Sequence, residues 1–360
     1  MRIGFDAKRI FQNATGLGNY SRAVVKNLAA LYPEHEYFLF TPNASHRLPF
    51  ETSAQVQTVV GRGSVWRSFG IRRDMIKHKI DVFHGLSNEL PFSINKADVK
   101  SVVTIHDLIF GLFPHHYPGV DRTVYELKTK FAVNHADVIV AASESTKRDI
   151  VATYHTAPER IQVIYQTCDD LFYRQPAPLP ATYSLPNQFM LYVGSVTERK
   201  NLLAVVHAYK HLAESDRIPC VIVGQGKRYA DEVKAAMVSD HLEKYFLFLQ
   251  DVPTEHLPAL YAKALLFIYP SLYEGFGIPI LESMVVGCPV ITSNVSSLPE
   301  VGGDAALYFN PADAAHIAQM ISKTIQHPEL RTEMINKGRI QAARFDKSTL
   351  TRQLIDVYQS

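Results

Sequence analysis

Residues 273–282 read YEGFGIPILE, a stretch with a carboxylate at Glu274 and another at Glu282. Between them lie Gly275 and Gly277, which add no side chain and weaken regular elements, and Pro279, which suits the first turn of a helix. Tyr273 and Phe276 read as packing residues. Bare N–H groups at Gly275 and Gly277 could meet a phosphate or a sugar hydroxyl. Carboxylates accept hydrogen bonds from sugar hydroxyls well. Glu282 falls in the first turns of the expected helix, where a carboxylate is favourable in any case, whereas Glu274 stands outside it. Upstream, Arg199 and Lys200 precede Asn201, an expected N-cap; two cations at a helix start make an anion site, though the charge run alone reads equally as a solvated basic pair at a loop. His106 ends the apolar run of VVTIHDLIF and could hydrogen-bond a substrate or carry a proton. On that segment alone, a buried histidine satisfied by a carbonyl is the better reading. Gly16 and Gly18, in ATGLGNYS, would let a ligand approach the backbone at a helix start, or serve a turn.

Each of these groups follows an expected strand. In the first half the strands are Arg2–Asp6, Glu36–Thr41, Gln55–Val60, Ile80–His84, Val99–Ile105 and Ala136–Ala141. Helices such as Gly18–Tyr32 and Asp121–Asn134 fall between them. After the proline-rich QPAPLPATYSLPNQ the alternation resumes. Strands are expected at Phe189–Val193, Pro219–Val223, Phe246–Leu249, Leu265–Tyr269, Pro289–Thr292 and Ala306–Phe309. Alternation of this kind predicts parallel sheets covered by helices. The architecture expected is α/β: a Rossmann-like domain over 1–175, a linker over 176–188, a second Rossmann-like domain over 189–345, and a terminal helix in 346–360. Ligands bind beyond the carboxyl ends of such strands, which can face one interdomain cleft.

With 360 residues, 47% hydrophobic and 20% charged, the chain reads as globular and of two-domain size. A formal net charge of +2 argues against a nucleic-acid partner. The start, MRIGFDAKRI, does not read as an export signal, and no run is apolar enough to span a bilayer, so a cytoplasmic location is expected. Cys168, Cys220 and Cys288 fit a reducing compartment and neither a disulfide framework nor a zinc site. The D-x-D, GxxxxGK[ST], G-x-S-x-G and HExxH patterns are all missing, which removes weight from kinase, serine hydrolase and zinc protease readings.

Taken together, Glu274 to Glu282 within YPSLYEGFGIPILESMVVGCPVITS, ERKN at 198–201, TIHDL at 104–108, GLGNYSR at 16–22 and LPEVGGDAALYFNP at 298–311 resemble the GT-B transferases of glycosyltransferase family 4. The resemblance spans essentially the whole chain. It implies a nucleotide-sugar donor held mainly by the second domain, an acceptor on the first, no cofactor and no metal. It implies that Lys200 and Arg199 neutralise the donor diphosphate and that Glu282 holds the ribose. Glu274 would hold donor-sugar hydroxyls, with the Gly275–Phe276–Gly277 backbone on sugar and phosphate. His106 would lie near the anomeric carbon, and Gly16 and Gly18 would leave room at the diphosphate or acceptor. Val252, in LQDVP, would meet the base through backbone groups. The terminal helix would cross back to the first domain. Many members carry an arginine where this chain has Ser195, so Arg199 would do its work or one contact is lost.

The resemblance also implies retention of anomeric configuration without a metal, and it leans to the bacterial polysaccharide mannosyltransferases. GDP-mannose is therefore the expected donor, with a UDP-hexose or dTDP-deoxysugar open, and a growing, lipid-linked glycan the expected acceptor. Residues 61–79, GRGSVWRSFGIRRDMIKHK, mix six cations with Trp66 and Phe69 and suit peripheral contact with an anionic membrane, or an ordinary charged helix face. Rival readings are a non-catalytic sugar-binding protein, a nucleotide-sugar epimerase, and a phosphorylase.

Overall fold

A computed structural model of the chain describes residues 1–13, 15–43, 50–52, 54–63, 65–114 and 119–360. Ala14 of the glycine turn and Ser64 of the basic segment lie outside the described residues. The chain divides into two compact units, Met1–Thr167 with Asp346–Ser360, and Cys168–Phe345. The division falls ahead of the expected 176–188 linker, so that proline-rich segment belongs to the second unit.

The first unit carries seven strands: β1 (Arg2–Asp6), β2 (Glu36–Thr41), β3 (Gln55–Val60), β4 (Val82–Gly85), β5 (Lys100–Ile105), β6 (Val138–Ala141) and β7 (Ile161–Val163). They form one sheet in the order β3-β2-β1-β4-β5-β6-β7, every pair parallel. Strand β7 is absent from the expectation because its three residues, IQV, are too short to show a pattern. The second unit carries β8 (Met190–Val193), β9 (Cys220–Val223), β10 (Phe246–Leu249), β11 (Leu266–Tyr269), β12 (Val290–Ser293) and β13 (Ala306–Phe309). Its sheet runs β10-β9-β8-β11-β12-β13, again all parallel.

The central strands are mostly apolar because both their faces are covered: every residue of β4, β8, β9 and β11 is buried, His84 of β4 included. The edge strand β3 instead alternates, with Gln55, Gln57 and Val60 exposed. Each unit has its own core. One is built on Phe38, Phe40, Phe83, Val103 and Ile139, the other on Tyr192, Val205, Ile222, Ile268 and Ile317. In both sheets the strand order reverses beside the first strand of the unit, at β1/β4 and at β8/β11. Chains leave such neighbours in opposite directions, which opens a crevice beyond the carboxyl ends.

The terminal helix, Lys347–Gln359, is capped by the Asp346 carboxylate accepting from the Thr349 N–H. It buries Leu350, Leu354, Ile355 and Tyr358 and packs on the helix Gly16–Leu31. The Tyr358 hydroxyl meets His84 Nδ1 at 2.6 Å in the first unit.

Candidate active site

In the second unit the segments after β8 and β11 meet at the strand-order reversal. Lys200 Nζ lies 2.6 Å and Arg199 Nη1 2.8 Å from the same oxygen, Glu274 Oε1. Two hydroxyls also reach that oxygen, Ser271 Oγ and Tyr269 OH. Lys200 Nζ further donates to the Tyr269 hydroxyl and lies over the Tyr269 ring, and Arg199 Nη1 donates to the Tyr273 carbonyl at 2.6 Å. Burial pushes the Glu274 carboxyl up. The charges of Lys200 and Arg199, with hydrogen bonds from Lys200 and Ser271, more than offset this and hold it below the usual carboxylate range. Glu274 is therefore an ionised, orienting group at neutral pH.

The loop that carries it is fixed by its backbone. Ser297 Oγ donates to the carbonyls of Glu274 and Phe276, and the Glu274 N–H donates to Ser296 Oγ. Gly277 sits at φ +116°, a conformation side chains rarely adopt, and leads into the helix Ile278–Val286 with Pro279 in its first turn. Gly275, Phe276 and Gly277 are all buried. The Phe276 side chain packs edge-on against Phe345, so any donor contact at this position belongs to its backbone.

Glu282, on that helix, has partners of its own. Its Oε2 accepts from the Tyr261 hydroxyl at 3.1 Å. Burial lifts its carboxyl to about 7, and the nearby Asp169 charge adds to the effect while the Tyr261 bond opposes it. Val252 is half-buried in the loop after β10, where Asp251 Oδ1 accepts from Gln225 Nε2 at 2.7 Å. Ser195 is exposed. Asn201 departs from its expected role: it precedes the helix Leu202–Tyr209 in a left-handed conformation at φ +57°, but its side chain does not cap. Its Nδ2 instead donates to the carbonyls of Pro270 and Pro311, tying the loop after β8 to those after β11 and β13.

In the first unit Gly18 is buried, and a Cβ there would lie 1.8 Å from the Asn13 carbonyl oxygen, so the turn itself demands glycine. Gly16 is exposed and a Cβ there would meet open space. His106 is 5% exposed, and its Nε2 lies 2.9 Å from the Leu86 carbonyl. A carbonyl only accepts, so Nε2 carries the proton and Nδ1 is the acceptor, 3.2 Å from Gln166 Nε2. Burial lowers its pKa to about 4, the Leu86 bond opposing and the Arg9 charge assisting. The ring is neutral at pH 7 and edge-on to Tyr20. An open hollow of about 520 Å³ lies elsewhere in this unit, lined by Asp137, Glu159, Arg160, Gln353 and Asp356 among others, and no expected site residue borders it.

Two family models match the chain, Glycosyltransferase Family 4 over residues 14–170 and Glycosyl transferases group 1 over 184–341. The O-antigen chain mannosyltransferase B of Escherichia coli is 32% identical over the full length of both chains. The chain belongs to glycosyltransferase family 4. The serotype-specific mannosyltransferase WbdA of Escherichia coli is 30% identical over 75% of this transferase, which spans about a third of that longer protein (35%). Among solved structures, Anabaena Alr3699/HepE in complex with UDP superposes with a TM-score of 0.76 at 18% identity, covering both chains entirely. The fold of the transferase is accordingly GT-B, two α/β units with parallel sheets.

Several residues of the transferase that build the site were given no role by the sequence, Tyr269 and Ser271 although they lie within the quoted motif. Tyr269 and Ser271 complete the donor set on Glu274, and Ser296 and Ser297 hold its loop. Gln166 occupies the free nitrogen of His106. The basic segment also divides. Trp66 is buried and donates to Asp74, and Arg67 pairs inward with Asp6 and Glu89. Phe69, Arg62, Arg73 and Lys77 stay exposed.

Proposed function

We propose that this glycosyltransferase moves mannose from GDP-mannose to a growing, lipid-linked glycan, with retention of configuration and without a metal. The observation that carries the reading is the convergence of Arg199 and Lys200 on Glu274 beyond β8 and β11, next to the helix Ile278–Val286 that follows Gly277. Fixed cations and helix N–H groups stabilise the charge that develops on a departing diphosphate, the role a metal would otherwise take. Removing one such donor costs about 3–4 kcal/mol of barrier.

Glu282 would bind the ribose, Val252 the base through its backbone, and Glu274 with the Gly275–Gly277 backbone the sugar. A carboxylate oxygen already shared by four donors is a poor nucleophile. That favours attack from the leaving-group face, assisted by the departing phosphate, over a glycosyl–Glu274 intermediate. His106 is neutral, with Nε2–H held by the Leu86 carbonyl and Nδ1 facing Gln166, so it would orient a donor-sugar hydroxyl only where that hydroxyl displaces the Gln166 amide, and it would not shuttle a proton. The mannose preference rests on the mannosyltransferases the chain is similar to.

Among the described residues no helix is long and apolar enough to cross a membrane. Contact with an anionic leaflet would run through exposed Phe69 with Arg62, Arg73 and Lys77. Liposome co-sedimentation should rise with anionic lipid and fall on Phe69→Asp.

The transfer itself is tested by incubating the enzyme with GDP-mannose, UDP-hexoses and dTDP-sugars and a lipid-linked glycan acceptor. Proton NMR of the product then reads the new anomeric configuration. Retained configuration from GDP-mannose in the presence of a chelator is the expected result; a mannosyl adduct on Glu274 by mass spectrometry would sink the mechanism.

A further inference from the structure

The stretch GLGNYSR holds a residue that the proposed transfer does not use, Tyr20 in the helix Gly16–Leu31. Its side chain reaches the carboxyl end of β5. The Tyr20 hydroxyl lies 3.0 Å from Thr104 Oγ1, and the ring lies edge-on to His106 with 4.6 Å between centroids.

A buried chain of hydrogen bonds runs on from Thr104. His84 Nε2, on β4, lies 2.8 Å from the same Oγ1, and His84 Nδ1 lies 2.6 Å from the Tyr358 hydroxyl on the terminal helix. Burial, with nearby His106 adding, lowers the His84 pKa to about 3, so the ring is neutral and carries one proton. Each of the three hydroxyls carries one more. Four protons thus meet three hydrogen bonds, and one proton has no acceptor among the described residues. Thr104 is 1% exposed and Tyr358 3% exposed, so on either it would be a buried donor left unmatched, which is the unfavourable case. Tyr20 is the one member of the chain that is only half-buried. The chain therefore runs from Tyr358 into His84 Nδ1, from Nε2–H into Thr104, and from Thr104 into the Tyr20 oxygen. The Tyr20 O–H is the proton left to give. His106 beside it has none to offer, since its Nε2–H is held by the Leu86 carbonyl and its Nδ1 faces the Gln166 amide.

We propose that Tyr20 is a sugar-binding residue of the first unit, its hydroxyl donating to a sugar oxygen at the carboxyl end of β5 beside His106. The terminal helix then has a part in the site, because Tyr358 fixes the His84 tautomer and, through Thr104, the free proton of Tyr20. The proposal rests on the transferase reading for the sugar, whether of the donor or of the acceptor, though not for the direction of the chain.

The test sets Tyr20→Phe, which keeps the ring against His106, beside deoxygenated sugars. GDP-mannose, its monodeoxy forms and GDP are titrated by calorimetry into the full chain and the variant. If the oxygen is the donor's, the variant should bind GDP-mannose at least about threefold more weakly, the worth of one neutral hydrogen bond, and GDP as before. One monodeoxy form should then show the same loss on the wild type and no further loss on the variant, a coincidence that a loosened fold would not produce. If the oxygen is the acceptor's, donor binding should hold, and the KM for a lipid-linked glycan acceptor should rise at least about threefold with kcat changed less. Heteronuclear NMR of isotope-labelled histidine in the wild type should find the His84 proton on Nε2. A proton on Nδ1, or donor affinity and acceptor KM both within about twofold of wild type in Tyr20→Phe, would overturn the proposal. Failure of the wild type to bind GDP-mannose would overturn the donor reading and the sugar ligand together, while the His84 tautomer would still decide the direction of the chain on its own.

Discussion

The two sheets share a strand order, yet the charged groups beyond their strands pair differently. Beyond β8 and β11, two cations and two hydroxyls close on a single carboxylate oxygen of Glu274. Beyond β1 and β4, a single guanidinium, Arg67, bridges two carboxylates, one of which also takes Lys128. The first arrangement fixes the loop that carries Glu274. The second is a brace in which one guanidinium joins two carboxylates. One topology therefore offers the same crevice twice, and the residues placed there decide what each can hold.

The sharpest way to break this contrast is Lys200→Ala. It should lower kcat by about 10²–10³, as loss of one donor to a developing anion does, while Lys128→Ala at the first sheet should leave the donor's KM unchanged. Steady-state kinetics with the donor varied would separate the two. Next in size is Glu274→Gln, which leaves Arg199 and Lys200 partly buried without their counter-charge. It should destabilise the fold by about 3 kcal/mol in urea unfolding. Asp6→Asn should cost less, because Arg67 keeps Glu89.

The glycines sharpen the comparison within the first unit. Gly18→Ala drives a Cβ into the Asn13 carbonyl and should cost about 1–3 kcal/mol, whereas Gly16→Ala points into open space and should be neutral in thermal unfolding.

The smallest effect is one of pH. The buried Glu282 carboxyl holds its proton to about pH 7 in the folded chain, against an ordinary value near 4.5. Between those values the native state binds the extra proton, so stability falls as pH rises through the window, and the penalty persists above it. Glu282→Gln should therefore raise Tm more at pH 8 than at pH 5. If ribose hydroxyls need the ionised carboxylate, the wild-type chain should also bind nucleotide more tightly at pH 8 than at pH 6, and the variant should lose that dependence.

The fold was largely legible, because fully buried parallel strands are near-continuous apolar runs and their helices carry strong patterns. Strand β7 escaped through its brevity. Of the site, Lys200 and Glu274 were read from separate motifs, and only the pairing of β8 with β11 brings them to 2.6 Å. An asparagine before a helix suggests a cap, whereas the Asn201 amide is drawn off to two proline carbonyls. Ser296, Ser297 and Gln166 act through hydrogen bonds across long stretches of sequence, and nothing local marks them. His106 shows the reverse case. Its segment favoured a buried, carbonyl-bound ring, and that is the geometry found, with Gln166 as the added partner.

The central claim is that the second unit binds a nucleoside diphosphate through the groups gathered beyond β8 and β11. It is tested most directly by titrating GDP, UDP and dTDP into the wild-type chain and into Lys200→Ala, with binding followed by calorimetry. Tight binding of GDP by the wild type, weakened by at least about tenfold in the variant, is the result this account predicts. Binding of no nucleotide, or equal affinity in both proteins, would contradict it.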